Sequence, residues 1–177
     1  MRLDAAGLPA SQCRELVIAL GIVPGLASMG YCVVDVSLPI VNPLDCDVLL
    51  GSKLKNSTAT LLKKAAVHRL VLDIVLERTP PAILALGPPL NTKEPPEHIE
   101  AVRYMLRMVA RTINIPVVEM DMQLICQTLG LDERSLARKV RKQLQHPLGS
   151  RDRRLLIATA VAIAGVVSVA PLAARSA

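Results

Sequence analysis

Leu155 to Ala174 reads "LLIATAVAIAGVVSVAPLAA", twenty residues without a charge. Such a segment has two stable destinations. One is a bilayer, whose hydrocarbon core takes a helix of about this length; the other is the centre of a domain, where a helix apolar on every side is covered by other elements. Thr159, Ser168, Pro171 and the many alanines keep it only moderately hydrophobic, and small residues suit close packing on a sheet. We read it as a core helix, with a membrane-anchored subunit flanked by Arg151, Arg153 and Arg154 as an alternative.

A core helix of this kind requires a sheet, and the rest of the chain supplies one. Leu16 to Ile22 and Tyr31 to Val36 are rich in Val, Ile and Leu and read as strands, separated by the turn residues Pro24, Gly25, Ser28 and Gly30. Pro39 to Gly51 reads as irregular. Asn56 or Ser57 caps a helix with Leu61, Ala65, His68, Leu72 and Leu76 on one side, and Pro80 and Pro81 end it near Thr79. "AILALG" (Ala82 to Gly87) is a short buried strand, followed by the Pro-rich loop "PPLNTKEPP". Pro96 then opens a helix with Glu97 and Glu100 near its positive end and Ile99, Val102, Met105, Leu106, Val109 and Ile113 in one stripe. Ile115 to Met120 is a further strand, with Asp121 leading into a short helix that stops at Gly130. Asp132 caps a helix that turns Leu136, Val140 and Leu144 inward, and Pro147 to Ser150 breaks it. The alternation of strands and helices predicts an α/β domain with a mixed central sheet. At 177 residues, one domain over 16–177 with an N-terminal extension over 1–15 accommodates the pattern.

There is no Phe and no Trp, and the only tyrosines are Tyr31 and Tyr104. That removes the aromatic platforms on which single-stranded bases usually stack, so any nucleic-acid binding leans on charge and backbone contacts. The net charge of +6 favours a polyanion. It is concentrated: Arg134, Arg138, Lys139, Arg141, Lys142, Arg151, Arg153 and Arg154 face the single acid Asp152 in their segment. These eight residues are the candidate nucleic-acid contacts. Arg103, Arg107 and Arg111, spaced by four, read as a solvated helix face. Cys13, Cys32, Cys46 and Cys126 form no C-x-x-C pair and read as reduced thiols in an intracellular protein, with no zinc or other cofactor. No apolar run precedes the first strand, which argues against a secretory signal and favours the cytoplasm or an organelle matrix, mitochondrial or plastid.

Three stretches together resemble a known family. "LGIVPGLASMGYCVVD" (Leu20 to Asp35) is similar to the opening L-G-[LI]-D-x-G-x-x-x-x-G hairpin of the YqgF (RuvX) proteins, relatives of RuvC in the RNase H-like superfamily. "GPPLN" (Gly87 to Asn91) resembles their G-x-P-x-N loop, and "IPVVEMDMQL" (Ile115 to Leu124) their strand ending in D-E-R-L. The resemblance implies an RNase H-like fold and, in active members, acids that hold two divalent cations on a phosphate. Here the resemblance puts Val23 at the first-strand acid and Thr159, or Ala158 if shifted by one, at the last-helix acid, leaving Asp121 as the remnant. Asp121 itself reads as a helix cap first and a ligand second. Asp35, Asp45, Asp47, Glu119 and Asp152 remain, with nothing in their spacing to bring them together.

The expectation is thus a chain that is not an enzyme: a YqgF-like domain serving as a structural or RNA-binding part of a ribonucleoprotein, ribosomal or ribosome-assembling. Its partners would be ribosomal RNA rather than DNA, and neighbouring proteins of the assembly, with no small-molecule substrate. The enzyme-class alternative is a divergent metal-dependent nuclease acting on precursor ribosomal RNA or DNA junctions through Asp121 and displaced acids.

Overall fold

The computed structural model describes residues 17–37, 40–50, 69, 72–90, 93–144 and 153–173. Its strands are β1 (Ile18–Val23), β2 (Ser28–Ser37), β3 (Ile40–Leu50), β4 (Ile83–Leu86) and β5 (Val117–Glu119). Its helices are α1 (residues 72–78), α2 (Pro96–Thr112), α3 (Met122–Leu129), α4 (Glu133–Gln143) and α5 (Arg153–Ala173). The strands form one sheet in the order β3-β2-β1-β4-β5. The pairs β1/β2 and β2/β3 are antiparallel, whereas β1/β4 and β4/β5 are parallel. The expected α/β architecture with a mixed sheet is therefore present.

Because side chains alternate across a pleated strand, each strand feeds two cores. Leu20, Ile22, Tyr31, Val33, Leu84 and Leu86 meet Leu72, Val75 and Leu76 of α1 and Val102, Leu106 and Val109 of α2. Ala19, Val23, Cys32, Val34, Ile83 and Ala85 belong to the opposite core with α5, joined by Ile125 of α3 and Leu136 and Val140 of α4. Residues 155–166 of α5 are all buried, so this part of the uncharged segment is a core helix. No helix among the described residues is long and apolar enough to cross a membrane.

Close approach of α5 to the sheet depends on missing side chains. A Cβ added to Gly21 would overlap the Ala158 carbonyl oxygen and stand 2.8 Å from Ala162 N. The smallest residues on both sides of this seam let helix backbone and strand backbone meet.

Two readings of the sequence are corrected. The segment taken as irregular after Pro39 is the edge strand β3. Its turn-like composition is absorbed by a bulge: Val33 pairs with Asp45 and Val34 with Pro43, leaving Leu44 as the extra residue, 45% exposed. Proline is tolerated at an edge or bulge because no ladder donor is needed there. Cys32 and Cys46 are not free thiols, since they lie opposite each other on β2 and β3 and form a disulfide. Spacing along the chain hid a pairing that only register reveals. Cys126 is free, and burial pushes its thiol up from the ordinary range. Of the helix expected after Asn56, the positions Leu61, Ala65 and His68 lie outside the described residues, as does the extension over 1–15; Leu72 and Leu76 are buried as expected.

Candidate nucleic-acid interface

Parallel pairing brings the C-terminal ends of β1, β4 and β5 to one edge of the sheet. Crevices outside these ends are where open α/β sheets hold ligands. The first turns of α5 reach the same edge, for a Cβ on Gly30, the partner of Val23, would stand 2.9 Å from Arg154 Cβ. The fold thus gathers the neighbourhood in which the family resemblance would place metal-holding acids.

The side chains there are of another kind. Val23 is 1% exposed and packs in the α5 core. Thr159 is fully buried, and its hydroxyl donates to the Leu155 carbonyl, 2.8 Å away. Asp121 is exposed and caps α3 by accepting from Leu124 N at 2.7 Å. Asp45 accepts from the Tyr31 hydroxyl on the far side of the sheet, and burial, followed by Asp45, raises that phenol above its ordinary range. Glu119 is engaged by Arg107 on the opposite edge strand. Among the described residues no three His, Cys, Asp or Glu side chains are grouped to hold a metal ion. Val23, Thr159 and Asp121, as placed among the described residues, do not fit a two-cation centre.

What the edge does contain is a set of donors. The turn between β1 and β2 directs Leu26 N and Ala27 N at the same carboxylate oxygen, Glu94 Oε1, at 2.6 and 2.9 Å. Gly25 keeps this space open: a Cβ there would overlap the Ser28 carbonyl oxygen and lie 3.3 Å from Glu94 Oε2. The second carboxylate oxygen, Oε2, is buried without a hydrogen-bond partner among the described residues. Next along the turn, Ser28 Oγ receives a hydrogen bond from the Arg154 guanidinium. Arg103 reaches the same edge from α2 and donates to the Gly87 carbonyl at 3.2 Å, while Gly87 N donates to Ile22 at the end of β1. Arg103 Nε is buried without a hydrogen-bond partner among the described residues. In sequence Glu94 is one residue of a Pro-rich loop. An acid held between lysine and prolines, 68 and 67 positions from its partners, carries no local signal.

The expected basic stripe on α2 divides into two roles. Arg103 ties α2 to the sheet, and Arg107 is bound by Glu119 at 2.6 and 3.1 Å and by Glu100 at 2.7 Å. Those hydrogen bonds hold the Arg107 guanidinium in its charged form and the Glu119 carboxyl below its ordinary range. Arg107 is therefore already neutralised by protein.

The α4 cations behave differently. Asp132 caps the helix through Ser135, whose hydroxyl and N–H depress the Asp132 carboxyl. Leu136 and Val140 face the core, leaving Arg134, Arg138, Lys139, Arg141 and Lys142 exposed. Lys139 approaches Asp132 at 3.9 Å and Arg153 approaches Glu133 at 3.5 Å. Arg134, Arg138, Arg141 and Lys142 form no ion pair among the described residues. Arg151 lies outside those residues.

No family model and no curated protein sequence matches the chain. Solved structures do. RuvC of Thermus thermophilus has a TM-score of 0.76 at 19% identity, with 89% of this chain and 97% of that one covered. RuvC of the same organism in complex with Holliday junction substrate has a TM-score of 0.74 at 20% identity, with 88% and 96% covered. The yeast mitochondrial Holliday junction resolvase has a TM-score of 0.58 at 13% identity, with 89% and 80% covered. The chain has the RuvC-like, RNase H-like fold that the sequence motifs suggested.

These neighbours correct the expectation that the chain is not an enzyme, because solved proteins that share its fold include a Holliday junction resolvase and RuvC bound to its Holliday junction substrate. That expectation rested on Val23 and Thr159, and two positions report only where acids are missing. The nucleic acid named with the RuvC complex is a DNA junction; the preference for ribosomal RNA came from the motif resemblance alone.

Proposed function

We propose that this chain acts on branched nucleic acid, with the exposed face of α4 and the start of α5 tracking phosphates and the edge beside the first hairpin meeting the branch. The observation that carries this reading is the row Arg134, Arg138, Arg141 and Lys142, exposed and without ion pairs among the described residues, on a fold shared with RuvC. Lys139, Arg151, Arg153 and Arg154 complete the basic segment. With only two tyrosines in the chain, selectivity comes from the shape of the phosphate backbone rather than from stacked bases.

The test compares a labelled four-way DNA junction, a linear duplex of equal length and a structured RNA by fluorescence anisotropy at one salt concentration. Tighter binding of the junction is expected. Equal affinity for junction and duplex overturns the reading, and preference for the RNA replaces it with a ribonucleoprotein role. Adding Mg²⁺ or Mn²⁺ to the same mixtures and resolving the strands on a denaturing gel reads hydrolysis directly, with Asp121→Asn as the matched variant.

A further inference from the structure

We propose that the turn after β1 is a receptor for a phosphate oxyanion, closed in this structure by Glu94, whose carboxylate the phosphate displaces. Two successive backbone N–H groups converging on one oxygen make an anion-binding concavity. Leu26 N and Ala27 N do this at 2.6 and 2.9 Å, and the occupant is a side chain from a loop sixty-eight positions away from Leu26. The match is incomplete. Glu94 Oε2 is buried with no hydrogen-bond partner among the described residues, and an unpaired carboxylate oxygen out of water carries a desolvation penalty that favours its release. A phosphate has more oxygens than a carboxylate to share among donors, and further donors are present at the same strand end: Ser28 Oγ with the Arg154 guanidinium, and Arg103, whose Nε is buried and without a hydrogen-bond partner among the described residues. Gly25 leaves the approach unobstructed.

Glu94 therefore acts as a removable plug. With the carboxylate in place, the turn repels an incoming phosphate; with the carboxylate swung out on its Pro-flanked loop, the same amides accept it. The proposal rests on the branched-nucleic-acid reading only for the identity of the natural ligand, since the shared chemistry is a phosphate group, whether free or in a nucleic-acid backbone.

The test uses the full chain, the variants Glu94→Ala and Glu94→Gln, and ¹⁵N–¹H spectra with Leu26 and Ala27 assigned. Glu94→Gln keeps an acceptor oxygen and the size of the side chain, so it reports on charge should Glu94→Ala loosen the loop. Inorganic phosphate and an unbranched DNA duplex are titrated separately. In the variants the Leu26 and Ala27 amides should shift at concentrations on the order of tenfold lower than in the native chain, the equivalent of one charge-assisted hydrogen bond. A response to duplex alone assigns the receptor to backbone phosphodiesters, and a response to inorganic phosphate assigns it to free phosphate. Amides that stay fixed with both ligands in folded native and variant chains overturn the proposal. Junction binding by the native chain with unresponsive amides leaves the function standing without this receptor; responsive amides without junction preference do the reverse.

Discussion

Neutralising the exposed row on α4 should change how binding depends on salt. The perturbation is the joint replacement Arg134→Gln, Arg138→Gln, Arg141→Gln and Lys142→Gln, which keeps an unbranched polar side chain of similar helix propensity while removing charge. Each duplex phosphate neutralised by a cation contributes about 0.9 to the slope of log affinity against log salt. Four such contacts contribute about 3.6, so a rise from about 50 to about 200 mM salt weakens the native chain by roughly 150-fold through this row alone. Lys139 and Arg153 are left in place because Asp132 and Glu133 already share their charge. The fold should survive, since all four replaced side chains are exposed and the inward Leu136 and Val140 are untouched. Anisotropy of a labelled junction at five salt concentrations gives both slopes. Arg107→Gln is the control: two glutamates hold Arg107, so its slope should match the native one. A quadruple variant with the native slope, or a control that loses as much, refutes the argument that exposed unpaired cations carry the contact.

Two further outcomes concern the scaffold. Gly21→Ala places a methyl group against the backbone of α5 at Ala158 and Ala162, which unlike a flexible side chain cannot turn aside. It should lower stability by about 3 kcal/mol, the upper end of the range for overpacking, and a urea midpoint indistinguishable from the native one would show that the seam is not tight. Cys32 and Cys46 should resist alkylation until reduced, and reduction should cost about 3 kcal/mol, since the bridge closes a short loop of separation 14; rapid labelling of both in the absence of reductant would contradict the pairing.

Much of the fold was legible because periodicity and turn chemistry agreed. The hairpin residues Pro24 and Gly25, the stop at Pro80 and Pro81, the opening at Pro96 and the caps at Asp121 and Asp132 all fall where local chemistry puts them. The edge strand β3 was not legible, because Pro43 within a strand is permitted only by a bulge, and a bulge is a property of the pair. Nor was the Cys32–Cys46 bridge, which follows from cross-strand register. The site was legible in part: the basic face of α4 follows from the inward spacing of Leu136 and Val140, but the three α2 arginines look equivalent in sequence and differ in the fold. Arg103 meets a carbonyl, Arg107 meets Glu119 and Glu100, and Arg111 lies exposed in the last turn. Their partners come from distant elements, and spacing along one helix is silent about them.

The sign of the charge at the sheet edge links these observations. A carboxylate-lined edge attracts phosphate only through cations that first neutralise it. At the positions where the family resemblance implied acids stand a buried valine, a threonine whose hydroxyl is committed to its own helix, and Asp121, which caps α3, while the polar groups beside the first turn, Leu26 N, Ala27 N, Ser28 Oγ, Arg154 and Arg103, are donors or hold donors. Glu94 is the one acid drawn into contact with that turn among the described residues, and it comes from a loop rather than from the sheet. An edge so composed suits an anion directly. That is why Glu94→Ala should strengthen phosphate contact at the turn, whereas removing an acid from a cation-dependent edge would weaken it.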